Sequence, residues 1–329
     1  MTTILVTAIG SFAAEVMIRV AKELGYRVVG CDIYPAGWVA SSADVDAFYQ
    51  VPYANDPAYL ERISAICEDE KVAAVIPLTD DEVDVLNDHR DDPGLGRAAL
   101  CLSSTETIRI CRDKAELAQF AKERRLCRTI PSVNLSDWEI FGETAGFDYP
   151  LVIKPVDGRS SQDLFIVHSR DEFVGAVAGI AKARRPHFVV QPFLDGCVVV
   201  ADVFHAPQQN MLEAVLRREH LRTKNGAGTT VEIFREPALE ATSCRLAEEL
   251  GTVGTVCFEF IENSHDGEYY LLECNPRLSG GVEFTRMAGV DVVANHLLYF
   301  LNEELKPLPS PRCRLIARRY QAFVMEERQ

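Results

Sequence analysis

The sequence predicts an α/β protein: a parallel, doubly wound unit at the N-terminus, then an α+β remainder in two parts. Three observations carry this. Over residues 1–105, short apolar runs alternate with helical stretches, the pattern of a parallel sheet with crossover helices. Residues 106–192 mix helices with strands, and residues 193–329 are dominated by strands joined by turns, ending in a hairpin and a helix. At 329 residues the chain has room for three such units.

Taken in order, residues 3–8 read as a buried strand and Gly10 opens a helix to Leu24. Strands follow at 28–32, 48–51 and 72–77, with a helix over 57–68. Asp80, Asp81 and Glu82 precede another helix, which Asp80 and Asp81 cap in the commonest reading. Ligands are expected at the C-terminal ends of these strands. In the second unit Asp113 is the expected N-cap, with Glu116 as its box partner, ahead of an apolar stripe at Leu117, Phe120 and Ala121. Strands over 149–155, 164–167 and 187–194 enclose a helix over 171–182, and Gly196 reads as a turn.

The composition is 47% hydrophobic and 25% charged, which is ample for packed cores. A net charge of −15 argues against nucleic acid or an anionic membrane surface as partner, though not against a small anion met by local Lys and Arg. Ten cysteines form no C-x-x-C pair and read as buried apolar residues in a reducing compartment. No apolar run reaches the roughly 20 residues of a membrane span. A cytoplasmic protein is expected.

The densest chemistry lies in residues 269–281. Glu273 and Asn275 are two apart at the end of an apolar strand, so both point to one face. Their oxygens suit a hard cation such as Mg2+, and Arg277 adds a fixed charge suited to phosphate oxygens. The preceding strand, 255–261, alternates and is followed by Asp266 and Gly267, so the two form a hairpin. Glu259 shares a face with Cys257 and Ile261 and needs a partner there, because an isolated buried carboxylate is costly. The plainer alternative is a surface ion pair between Glu273 and Arg277.

Four further features are individually weaker. Lys154, inside the apolar run 151–154, wants an anion or must snorkel to solvent. Lys114 stands at a helix start, where the dipole does not favour a cation. The polar stretch 157–163 reads either as a phosphate-covering loop, with Gly158, Ser160 and Ser161, or as a simple hairpin turn. Gln191, Pro192, Phe193 and Leu194 read as an adenine-edge contact with apolar walls or as an ordinary strand end. The basic run 216–226 reads as a solvated loop or as a mobile segment contacting an anion.

In this order the pieces resemble the ATP-grasp superfamily. The similarity spans nearly the whole chain and is closest to stand-alone relatives of the carbamoyl-phosphate synthase large subunit and of carboxylate–amine ligases. It implies a Rossmann-like pre-ATP-grasp domain (1–105), then ATP-grasp subdomains A (106–192) and B (193–329, with the metal site). It implies ATP and Mg2+ as cofactors, with Mn2+ as the alternative ion. Lys114 and Lys154 fall on the nucleotide lysines, residues 158–163 on the phosphate loop and residues 191–194 on the adenine hinge. Glu259, Glu273 and Asn275 fall on the metal ligands, and Arg277 on the arginine that contacts phosphate or acyl phosphate. Two positions depart: Val198 stands where a ribose-binding carboxylate is usual, with Asp202 as the nearby candidate, and Asp163 stands where a second glycine is usual.

The resemblance implies an ADP-forming C–N ligase that passes through an acyl phosphate, with Lys154, Arg277 and Arg218 at the reacting groups. Small-molecule carboxylate and amine substrates are its partners, and a homodimer is compatible with it. Two other readings stand beside this one. One is a regulatory nucleotide-binding module. The other is a nicotinamide-dependent enzyme with Asp32 on the ribose, against which the turn over residues 7–13 counts, having one glycine where that fingerprint needs three.

Overall fold

The computed structural model describes residues 1–96, 98–141, 146–158, 162–224, 226–322 and 324–325. The first unit runs β1 (Thr3–Val6), α1 (Phe12–Glu23), β2 (Arg27–Asp32), β3 (Ala47–Gln50), α2 (Ala58–Glu70), β4 (Ala74–Ile76), α3 (Asp80–Asp88) and β5 (Ala99–Leu100). Its sheet has the order β3-β2-β1-β4-β5, and every pairing is parallel. Strand alternation divides the cores. Ile4 and Val6 pack toward α1, whereas Leu5, Val29 and Cys31 pack toward α2 and α3. Helix α3 starts where it does because Thr79 and Glu82 form a reciprocal capping box. The cap is therefore Thr79, and Asp80 is freed from capping for another role.

Next come α4 (Thr105–Arg112), α5 (Lys114–Glu123), β6 (Arg128–Thr129), β7 (Val133–Asn134), α6 (Leu135–Phe141), β8 (Leu151–Pro155), β9 (Phe165–Val167), α7 (Arg170–Gly179) and β10 (Phe188–Pro192). Asp113 caps α5 by accepting from the Ala115 and Glu116 amides at 2.8 and 2.9 Å. Glu116 is not its box partner. It is drawn to Arg109 on α4, a charged partner within reach. Strands β7-β10-β8-β9 form a small antiparallel sheet. Leu151, Ile153, Phe188 and Val190 pack on its covered face with Trp138 and Phe173.

The remainder runs β11 (Gly196–Ala206), β12 (Met211–Arg222), β13 (Gly228–Phe234), α8 (Pro237–Leu250), β14 (Gly254–Asn263), β15 (Tyr269–Asn275), α9 (Val282–Met287), α10 (Val292–Phe300) and β16 (Arg314–Ala317). A seven-stranded sheet results, in the order β16-β13-β12-β11-β14-β15-β6. Because β6 joins it, and Leu117 and Ala121 of α5 enter its core, residues 106–192 contribute to two sheets.

Two expectations are corrected here. Gly196 is the first residue of β11 rather than a turn. A Cβ there would lie 2.1 Å from the Glu262 carbonyl oxygen, so only glycine lets the strands approach. The basic run is strand through Arg222, not loop, because β12 pairs along both edges and its charges meet carboxylates on each face.

The outer face of the large sheet carries Val199, Ala201, Leu216, Phe258 and Phe260 against α8 and α5. The inner face carries Asp202, Arg217, Glu219, Glu259, Glu273 and Asn275, and turns toward the first unit.

Candidate nucleotide and metal site

Cross-strand register builds the site. Glu259 on β14 stands directly opposite Glu273 on β15, and Cys257 opposite Asn275. The register slips after Glu259, where Phe260 pairs with Leu271, so Leu272 is the extra residue of a bulge beside the two carboxylates. Cations from three other places converge on this face. Lys114, the first residue of α5, lies 3.2 Å from Glu273 Oε2 and donates to the Gly158 carbonyl. Arg222 donates to Glu259 at 3.0 Å and reaches Glu219 at 2.7 Å. Lys154 on β8 is 5% exposed and has no hydrogen-bond partner among the described residues.

Arg277 is held by Asp80, the first residue of α3, in a bidentate pair at 2.8 and 2.9 Å. It also reaches Asn275 Oδ1 at 3.3 Å. The surface-pair alternative for Glu273 and Arg277 is thereby removed, since Arg277 binds a carboxylate 197 residues away and is itself largely buried.

Charges in so enclosed a place shift one another. Burial, and then Lys114, lower Lys154 to about 8. Burial, and then Glu273, raise Glu259 to about 7. Burial raises Glu273 as well, but Lys114 and Lys154 outweigh it and hold that carboxyl below its usual range. Two opposed carboxylates with an amide oxygen beside them suit a hard divalent cation, and burial together with the facing Glu273 raises Glu259.

These residues line one cavity of about 920 Å3, together with Gly158, Gln162 and Leu164. Ser160 and Ser161 lie outside the described residues. Asp163 adopts φ = 54°, the left-handed region where Asp is tolerated better than most residues, so its replacement of glycine fits the backbone. It pairs with Arg184 at 2.6 Å. Gln191, Pro192, Phe193 and Leu194 do not line this cavity. Gln191 nevertheless shares the other face of the small sheet with Lys154, Val152, Val189 and Ile166. Its Nε2 donates to Ser132 Oγ at 2.7 Å, and the Phe193 amide donates to the Pro150 carbonyl at 3.0 Å.

Two candidates from the sequence fall away. Asp202 is fully buried and accepts from Arg217 and Thr285, so it does not face a ribose. Arg218 points to the outer face of β12, where it grips Glu262 at 2.6 and 2.9 Å and Glu232 at 2.8 Å. Its neighbour Arg217 takes the inner face, 2% exposed, bound to Asp202, Glu219 and Ser279. A Cβ at Gly281 would come within 2.8 Å of the Arg217 guanidinium, which is why the chain passes over it with glycine. Asp32 accepts the Gly10 and Tyr34 amides, which ties it to the turn after β1. Sequence reasoning missed Asp80 and Arg222. The first was hidden in a helix-start cluster, the second in a run read as loop.

Residues 4–94 match the family model described as PylC-like, N-terminal domain, and residues 184–321 match the one described as ATP-grasp in the biosynthetic pathway with Ter operon. Among solved structures, the biotin carboxylase–βγ-ATP complex of Campylobacter jejuni superposes with a TM-score of 0.77 at 16% identity, over 95% of this chain and 73% of that one. The biotin carboxylase domain dimer of Hydrogenobacter thermophilus 2-oxoglutarate carboxylase, with MgADP, ADP and bicarbonate, gives 0.76 at 20% identity, over 93% and 71%. N5-carboxyaminoimidazole synthetase of Staphylococcus aureus complexed with ADP gives 0.73 at 15% identity, over 95% and 80%. At such identities the likeness speaks for the fold. Among the described residues no helix is long and apolar enough to cross a membrane. The two family matches and the superpositions agree on the fold, a PylC-like N-terminal domain followed by an ATP-grasp domain.

Proposed function

We propose that the chain is an ATP-dependent, ADP-forming carboxylate–amine ligase that works through an acyl phosphate. Residues 1–105 help bind the acceptor, and the nucleotide lies between residues 106–192 and 193–329. The observation that carries the reading is the opposed pair Glu259 and Glu273, with Asn275 beside it and Lys114 and Lys154 facing it. Those three oxygen-bearing residues would hold Mg2+. When bound, the ion supplies charge neutralisation for the β- and γ-phosphate oxygens. The exposed apolar face at Ile166, on the same side as Lys154, suits a nucleobase.

Chemistry then follows from positioning. Lys154 and Lys114 balance charge on the phosphates as the γ-phosphoryl moves to a substrate carboxylate. Arg277, oriented by Asp80, faces the acyl phosphate that forms. An amine attacks the acyl carbon, and inorganic phosphate leaves. Water must be kept from the acyl phosphate for the amine to reach it first. The test is a release assay with pooled carboxylates and amines. One ADP and one phosphate are expected per product, whose mass is that of acid plus amine less water. Tight ATP binding without turnover in any pool overturns the ligase reading in favour of a binding module.

Lys154 gives a pH signature. Its pKa in the folded protein, about 8, is below the ordinary lysine value of 10.5. Between those values the folded state binds fewer protons than the unfolded one, so this group's contribution to stability rises with pH across that window. Phosphate oxygens beside Lys154 push its pKa back up. ATP binding at pH 8 is therefore expected to take up roughly half a proton from this group. Calorimetry in buffers of different ionisation enthalpy measures the uptake. It should vanish in Lys154→Ala, and equal uptake in both proteins would place the phosphates elsewhere.

A further inference from the structure

Beside the phosphate cavity lies a larger one, of about 1270 Å3, that shares Gly10, Ser11, Phe12 and Thr79 with it. Its walls are rich in uncovered rings. Phe12 stands 6.1 Å from Tyr320, and Tyr34 stands 6.2 Å from Trp38. Tyr53 is 63% exposed and Trp38 73%, although both line a concave surface. Large rings left open in a cleft mark a place for a flat apolar body.

One cation in that cavity is not accounted for. The Arg318 side chain is 11% exposed, with its guanidinium 4.0 Å above the Phe12 ring and 5.0 Å from that of Phe284. Nη2 donates to the Gly280 carbonyl at 3.2 Å, whereas Nη1 is buried and has no hydrogen-bond partner among the described residues. The nearest carboxylate in an ion pair with it is Glu283, at 3.9 Å, and Glu283 is already bound by Arg19 at 2.6 Å. Arg222 and Arg277, in contrast, each hold a carboxylate within 3.0 Å, and both guanidinium groups are shifted up. Burial shifts Arg318 down, the direction expected of a guanidinium short of counter-charge.

We infer that this cavity binds a carboxylic acid with an aromatic body, the carboxylate pairing with the Arg318 guanidinium and the ring lying among Phe12, Tyr34, Trp38 and Tyr53. Gly280 lines the phosphate cavity and also accepts from Arg318, and Phe12 and Tyr53 line both cavities, so a bound acid lies next to the site of phosphoryl transfer. Glu15, Asp32, Asp44, Asp81, Glu82 and Glu283 line the same cavity, which favours a single negative charge held at Arg318 over a dianion. This identifies the acid substrate of the proposed ligase, and for turnover, though not for binding, it rests on that reading.

The experiment is calorimetric titration of the full chain, without nucleotide, with L-phenylalanine, L-tyrosine and 4-hydroxybenzoate. Each is paired with its amide, which keeps the ring and lacks the carboxylate. At least one acid should bind, and its amide should bind about tenfold more weakly or worse. Arg318→Gln should weaken the acid to the level of the amide while leaving the affinity for ADP and Mg2+ unchanged. An amide that binds as tightly as its acid, no acid binding at about 10 mM, or an unchanged Arg318→Gln would overturn the inference. If that variant does not fold, the comparison of acid with amide on the unaltered chain decides alone. Should acids bind without supporting ADP release, the inference stands and the ligase reading falls. Should ADP release depend only on non-aromatic acids, with the panel unbound, the reverse holds.

Discussion

Glu273→Ala is expected to lower ADP release by roughly 10²- to 10³-fold, the range seen when one charge-stabilising group is removed from an active site. Two losses combine. One half of the opposed carboxylate pair disappears, and with it a donor for the divalent ion. Lys154 also loses a carboxylate that raises its affinity for protons, so, already lowered to about 8, it falls further and carries less charge near neutral pH. The phosphates then meet a weaker cationic wall. Initial rates at saturating ATP and increasing Mg2+ measure the effect, with circular dichroism as the check on folding. Glu273→Gln should sit between the two, because it keeps one neutral oxygen. Turnover within threefold of the parent in the alanine variant would remove this carboxylate from the site.

The second large effect is expected at Asp80, which touches no substrate in the proposed reaction. Asp80→Ala leaves the mostly buried Arg277 guanidinium without its bidentate partner. Breaking a buried pair from one side costs on the order of 3 kcal/mol, since the remaining charge stays desolvated. Arg277 would also lose its orientation, and ADP release should fall by roughly 10- to 100-fold, as it does when a supporting partner of an active-site group is lost. Urea unfolding gives the first quantity and steady-state kinetics the second. A merely structural role would lower stability and leave kcat per folded molecule intact. Asp80→Asn, which still accepts one hydrogen bond, should recover part of both.

The parts of this molecule that were legible from the letters are those where a short local pattern carries the constraint. Glu273, Asn275 and Arg277 follow strand parity and one proline, and Glu259 follows from the hairpin that precedes them. Lys154 was conspicuous because lysine is rare in an apolar strand. Asp202, the candidate for the ribose, has its partners, Arg217 and Thr285, 15 and 83 residues away, so its role as an internal counter-ion cannot be read locally. Asp80 was concealed by its neighbours. Three acidic residues at a helix start are ordinary, and only the fold shows that Thr79 and Glu82 do the capping. A run read as loop has no sidedness, so nothing in it separates Arg218 from Arg217 and Arg222. Once it is strand, alternate residues part company.

That last point bears on how distant cousins are lined up with this protein. Arg217 and Arg218 are the same letter, but one is an interior counter-ion and the other is a surface clasp. A gap misplaced by a single column exchanges them without changing any substitution score, and at 15 to 20% identity such slips are commonplace. Odd and even positions along β12 therefore make a better ruler for matching it to other chains than the arginines themselves.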